Sequence, residues 1–196
     1  MDSRETILSS IRKHLAASPP DDQPKSVFPE SVVAPAPTSL VDLFKENVEA
    51  VNGHCIVTRD VSQAVTRIIT DLGARKIAVS DTPPSAEEIF EYDVGITGAQ
   101  AAIAETGTLV LDSAREKHRL ASLVPPVHIA IVDASSIFQT LAEALAFIHQ
   151  NGDISPAVTF ITGPSRTADI ELTLAIGVHG PQELYVIVNQ GPSLSH

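Results

Sequence analysis

The run His128-Ile129-Ala130-Ile131-Val132 is apolar at every position but its first, and Leu184-Tyr185-Val186-Ile187-Val188 repeats the pattern near the end of the chain. Strands that read this way, without polar alternation, belong to a sheet covered on both faces. Working outward, the spacing predicts a helix over about 39–52, with Leu40, Leu43, Phe44, Val48 and Val51 on one face and Gly53 as its stop. A strand at 55–58 follows, then a helix through Ala64, Ile68, Ile69 and Leu72 that stops at Gly73, and a strand at 76–80. Pro83-Pro84 leads into a short helix near 85–91. The segment 93–112, DVGITGAQAAIAETGTLVLD, reads as a strand at 94–97, a tight excursion and a strand at 108–111, an antiparallel element. Beyond it the pattern predicts helix 114–123, strand 127–132, helix 135–149, strand 157–162, helix 166–176 and strand 184–188. This alternation predicts an α/β fold, layered, with a mainly parallel sheet flanked by helices.

The 196 residues divide unevenly. Residues 1–17 read as an N-terminal helix: Ile7, Leu8, Ile11 and Leu15 form one stripe, and Asp2 with Glu5 resembles a capping pair. Residues 18–38 hold six of the 14 prolines and read as a linker. Residues 39–196 form the α/β domain. A chain this long buries roughly 70% of its unfolded surface, so a substantial core is expected.

Composition excludes several classes. Thirteen Lys and Arg stand against 24 Asp and Glu, a formal charge of −11, and aromatics are 4%. That balance argues against nucleic acid, whose binding needs basic contacts or aromatic stacking platforms. The single cysteine, Cys55, supplies neither a disulfide framework nor the thiolates of an iron–sulfur cluster. No apolar run approaches the ~18 residues of a membrane span, and the charged N-terminus is no signal peptide, so the expected location is the cytoplasm.

Glycine-rich nucleotide loops, zinc-protease, CxxC and nucleophile-elbow motifs are all missing. The strongest constellation is Thr162-Gly163-Pro164-Ser165-Arg166-Thr167-Ala168-Asp169, which follows the strand VTFI and is expected to open a helix. Ligands of open α/β sheets gather at the carboxyl ends of strands, and free N–H groups at a helix start favour an anion. Gly163 permits close backbone approach, Ser165 and Thr167 offer hydroxyls, and Arg166 offers a planar fork for a carboxylate or phosphate. Arg166 is also the only Lys or Arg from residue 120 to 196. The plainer alternative makes Ser165 a helix cap and Arg166 a surface ion-pair partner.

Three weaker signals accompany it. Glu105 in Ala104-Glu105-Thr106-Gly107-Thr108 is a lone acid between apolar strands: a nucleophile or base, a ligand contact, or a turn residue. Arg115, His118, Arg119 and Ser122 share one face of the expected helix 114–123, a basic face for an acidic partner or a solvated surface. His179, in Gly177-Val178-His179-Gly180-Pro181, is a structural histidine or a second contact in the crevice of Arg166. The seven histidines show no metal-ligand spacing, so no metal is expected.

GITGAQAAIAETGTLVL, SLVPPVHIAIV and ITGPSRTADIELTLAIGVHGPQELYVIV, taken together and in this order, resemble the lactate-utilisation protein C family of LUD-domain proteins. The resemblance covers roughly residues 39–190. It implies a fold similar to the ribose-phosphate isomerase, glucosamine-phosphate deaminase and CoA-transferase group. It also implies a bacterial cytoplasmic component of L-lactate oxidation to pyruvate that works with iron–sulfur partner proteins, with no cofactor of its own. It supplies no established catalytic residue. By wider analogy with CoA transferases, Glu105 is the candidate nucleophile. The expected ligand-binding set is Thr106, Gly107, Thr108, Gly163, Pro164, Ser165, Arg166, Thr167 and His179, around a small anion. The alternatives are an independent sugar-phosphate or acyl-CoA enzyme using Glu105, and a non-catalytic assembly or regulatory subunit.

Overall fold

The computed structural model describes residues 3–17, 39–79, 84–85, 87–113, 119–150, 157–167, 175–176 and 180–192. The chain divides into two units, residues 1–36 and 37–196. In the first, α1 spans Ser3–Ala17, and Ile7 and Leu8 of its apolar stripe are exposed. The expected linker, 18–38, lies outside the described residues.

The second unit runs α2 (Leu40–Ala50), β1 (His54–Thr58), α3 (Val61–Leu72), β2 (Ile77–Val79), β3 (Val94–Ala99), β4 (Ala101–Ile103), β5 (Thr108–Asp112), β6 (Val127–Asp133), β7 (Ile137–Phe138), α4 (Leu141–Gln150), β8 (Val158–Ile161), β9 (Arg166–Thr167), β10 (Ala175–Ile176) and β11 (Glu183–Asn189). Local chemistry sets several of these ends. The Asp60 carboxylate accepts from the Gln63 N–H to cap α3, and Gly73 closes that helix in the left-handed conformation. Thr140 and Glu143 exchange hydrogen bonds across the first turn of α4.

Five strands, in the order β1-β11-β6-β3-β2, form an all-parallel sheet. The two apolar runs occupy its central strands β6 and β11, as their composition requires. One face packs on α3, where Ile68 meets Val94, Ile129 and Ile187. The other face does not meet helices alone. A second sheet, β7-β4-β5-β8, lies over it, and the shared core joins Ala130, Val132, Val186 and Val188 to Leu109, Leu111 and to Phe44 and Val48 of α2. The far side of the second sheet packs on α4 through Ala144 and Phe147. The architecture is therefore α/β with a mainly parallel sheet, as expected, and carries a second, mixed sheet.

Four expectations change. The strand at 94–97 and the strand at 108–111 do not pair. The first extends to Ala99 within the parallel sheet, and β5 takes β4 as its antiparallel partner. The chain changes sheets at Gln100, whose side-chain oxygen accepts the Asp112 N–H at 2.6 Å. Residues 135–149 do not make one helix, because Ile137 and Phe138 pair with Ala102 and Ile103 and the helix starts only at Leu141. Of helix 114–123, the described part is a single 3-10 turn, Arg119–Ser122, seated on β3 so closely that a Cβ on Gly95 would stand 1.7 Å from the Ala121 carbonyl oxygen. Helix 166–176 is replaced at both ends by strand: Arg166 and Thr167 pair antiparallel with Ile176 and Ala175. There a pairing between the two ends of the segment overrides the helical spacing. Residues 168–174 lie outside the described set.

Candidate functional site

Two of the sequence motifs meet because β5 and β8 are antiparallel neighbours, with Leu109 opposite Ile161. Thr108, which opens β5, therefore stands beside Thr162, which follows β8. Their hydroxyls are 2.7 Å apart, and Thr106 adds a third at 2.7 Å from Thr108. The glycines beside these threonines answer to α2. A Cβ on Gly107 would lie 2.6 Å from backbone atoms of Asn47 and Val48, and one on Gly163 would lie 2.9 Å from the Val51 carbonyl oxygen. Both turns are of positive φ, 64° and 81°. Asn47 locks the first turn by donating from its amide to the Ala104 carbonyl at 2.8 Å. The expected close approach at Gly163 is thus an approach to this helix.

A third motif joins at Ser165. Its N–H donates to the Pro181 carbonyl at 2.9 Å, and its side chain rests against Gly180, where a Cβ would be 3.1 Å away. The loop before β6 closes the group: the Pro126 carbonyl accepts from Gln182 and Glu183. Pro181 and Pro126 precede β11 and β6, so the segment packs at the amino ends of the central parallel strands. The expected position was the carboxyl edge of that sheet. The reason is that VTFI became β8, an edge strand of the second sheet.

These loops enclose a cleft of about 350 Å³. Residues 159–165, Ser122, Leu123, Gly180 and Pro181 line it, and His128 and Leu184 reach it from the central strands. Among the described residues, none that lines the cleft carries a carboxylate or an ammonium group. A larger hollow of about 710 Å³ runs along α3 and β1, beside Gln63, Arg67, Asp71 and Tyr185. It contains none of the motif residues, so the smaller cleft is the candidate site.

His128 is the residue that motif reading missed. Its imidazole is 1% exposed, and its Nε2 lies 2.8 Å from the Thr97 hydroxyl. Its Nδ1 has no hydrogen-bond partner among the described residues. Burial pushes its pKa down to about 4, so the ring is neutral near pH 7. The available signal was a histidine heading an otherwise apolar strand run.

The predicted residues separate into groups. Gly163, Pro164 and Ser165 line the cleft. Thr106, Gly107 and Thr108 stand behind Thr162 and do not line it. Glu105 is exposed in its turn, with its N–H donating to the Gln139 carbonyl at 3.3 Å, and is also outside the lining. The backbone of Arg166 and Thr167 continues from Ser165 into β9. His179 lies outside the described residues, as do Arg115 and His118. Arg119 and Ser122 do not share an open face: Arg119 is exposed, while Ser122 is buried and donates to the Arg119 carbonyl at 2.9 Å. Among the described residues, no group of three or more His, Cys, Asp or Glu is placed to hold a metal ion, and no helix is long and apolar enough to cross a membrane.

Residues 74–188 match the LUD domain. "Lactate utilization protein C" of Bacillus subtilis (strain 168) is 34% identical over 173 residues, covering 78% of this chain and 70% of that protein. The protein of the same name from Deinococcus radiodurans is 32% identical over 203 residues, covering 93% of each. Among solved structures, a DUF162 family protein from Deinococcus radiodurans superposes with a TM-score of 0.58 at 23% identity, over 76% of this chain and 96% of that one, a likeness of fold.

Proposed function

This chain belongs to the LUD-domain family, and from that premise we propose that it serves lactate utilisation as a component that binds a small organic anion while iron–sulfur proteins carry the electrons. One observation carries the reading: three loops distant in sequence, carrying LVPP, TGPS and GP, meet around one cleft, and none of the described residues that line it carries a carboxylate. In a chain of net charge −11, an anion is repelled over much of the surface. The described lining, of hydroxyls, backbone, apolar side chains and one neutral imidazole, adds no such repulsion locally. Gly163, Pro164 and Ser165 supply the wall, and Thr106, Gly107 and Thr108 brace it through Thr162. Arg166, the only Lys or Arg after residue 119, is the proposed charge anchor, with Thr167 and His179 assigned beside it from the sequence.

Electron transfer from lactate requires redox centres, and the one cysteine here cannot ligate a cluster. The proposed partners are therefore cytoplasmic iron–sulfur proteins that act on L-lactate to give pyruvate. The exposed position of Glu105, away from the cleft, favours this binding role over chemistry led by that carboxylate. The test is reconstitution: iron–sulfur proteins encoded beside this chain are assayed for lactate-dependent dye reduction with and without it. A rate that rises with added chain supports the role. An unchanged rate, with no co-purification of the partners, rejects it.

A further inference from the structure

His128 lines the cleft and carries a buried polar atom without a hydrogen-bond partner among the described residues. His128 lies between Gly95 and Leu184 in the register of the parallel sheet, and its side chain shares the inner face with Thr97. Nε2 is committed to the Thr97 hydroxyl, while Nδ1 is buried without a partner among the described residues. Buried polar atoms are almost always hydrogen-bonded, so an unmatched one on a residue that lines a cleft offers a bond to a group that enters it. The nearby hydroxyls do not meet that need. Ser122 donates to the Arg119 carbonyl, and Thr162 is paired with Thr108.

We infer that His128 reads the ligand in this cleft: its Nδ1 bonds the hydroxyl of a small 2-hydroxy carboxylate, and Thr97 is the positioning residue that holds the ring through Nε2. The inference rests on the reading of the cleft as a small-anion site. A hydroxyl both donates and accepts, so it satisfies Nδ1 in either tautomer. A methylene in its place leaves the atom unpaired. The ring is 1% exposed, so only a group that enters the cleft can meet it.

The experiment compares L-lactate with propionate, which keeps the carboxylate and loses the hydroxyl. Full-length protein with 15N-labelled histidine is titrated with each, and affinities are read by calorimetry. L-lactate is expected to shift the ring-nitrogen signals of His128 and to bind about tenfold or more tightly than propionate, since one buried polar group is otherwise unsatisfied. His128→Gln is expected to erase that preference. Thr97→Val is expected to move the Nε2 signal of His128 and weaken the preference, and Thr97→Ser to retain the wild-type signal and preference. If lactate binds but propionate binds equally, or His128→Gln keeps the preference, the role of His128 is wrong while the anion site stands. If neither acid binds at millimolar concentration or moves the amide signals of 163–165, the anion-site reading fails and this inference with it. Should His128→Gln not fold, the wild-type nitrogen shifts and the two Thr97 variants decide.

Discussion

At the scale of single residues, burial decides the behaviour of His128 and Cys55. The folded pKa of His128 is about 4 against 6.5 for the free group, so the unfolded chain binds more protons between those values. Its stability contribution is therefore intact above about pH 6.5 and declines as pH falls toward 4, by about 3 kcal/mol when complete. Urea unfolding at pH 7.0, 5.5 and 4.5 should show this decline in the wild type and a shallower one in His128→Gln; parallel profiles would refute it. Cys55 sits in β1 with its thiol pushed up to about 11 by burial, so it should behave as a small apolar side chain. Thiol reagents should label it slowly in the native protein and fully in denaturant. Arg166 is argued from charge alone: Arg166→Ala should weaken lactate binding roughly 10- to 150-fold, the range for a charge-assisted hydrogen bond, with Arg166→Lys between. Equal binding by all three proteins removes the anchor.

Among the elements, α2 is the support on which both motif turns rest. The two turn glycines Gly73 and Gly107 share φ of +64°, yet a Cβ on Gly73 meets open space while one on Gly107 meets the α2 backbone. Gly73→Ala should cost only the left-handed penalty, about 1–2 kcal/mol. Gly107→Ala should cost a further ~1–3 kcal/mol, because helix backbone must move. Chemical denaturation of the pair measures the difference, and similar values would show that α2 yields easily. Apolar spacing made α2 and α3 legible, since Phe44, Val48 and Ile68 bury the faces their periods imply. The same spacing misled at 135–149, where strand pairing with residues distant in sequence outcompetes local helical preference, and at 166–176, whose two ends pair with each other instead.

For the whole molecule, the division into residues 1–36 and 37–196 predicts that the second unit folds alone. A chain starting at residue 37 should unfold in one cooperative transition and keep the lactate affinity of the full chain; a broad, non-cooperative melt would show that the N-terminal unit is required. The sequence alone determined the α/β class, the burial of β6 and β11 and the family, because these are written in local periodicity and in contiguous motifs. It also marked TGPS and HGP as places of interest. Only the tertiary structure decided that VTFI joins a second sheet, that Ser165 rests on Gly180 and Pro181, and that the cleft opens at the amino ends of the parallel strands. It alone singled out His128. A histidine in an apolar strand reads as core, and the cleft that His128 lines is built by loops distant in sequence, at 159–165 and 180–181. Local sequence carries backbone preference and burial period, whereas hydrogen-bond satisfaction is a property of neighbours that only the folded chain assembles.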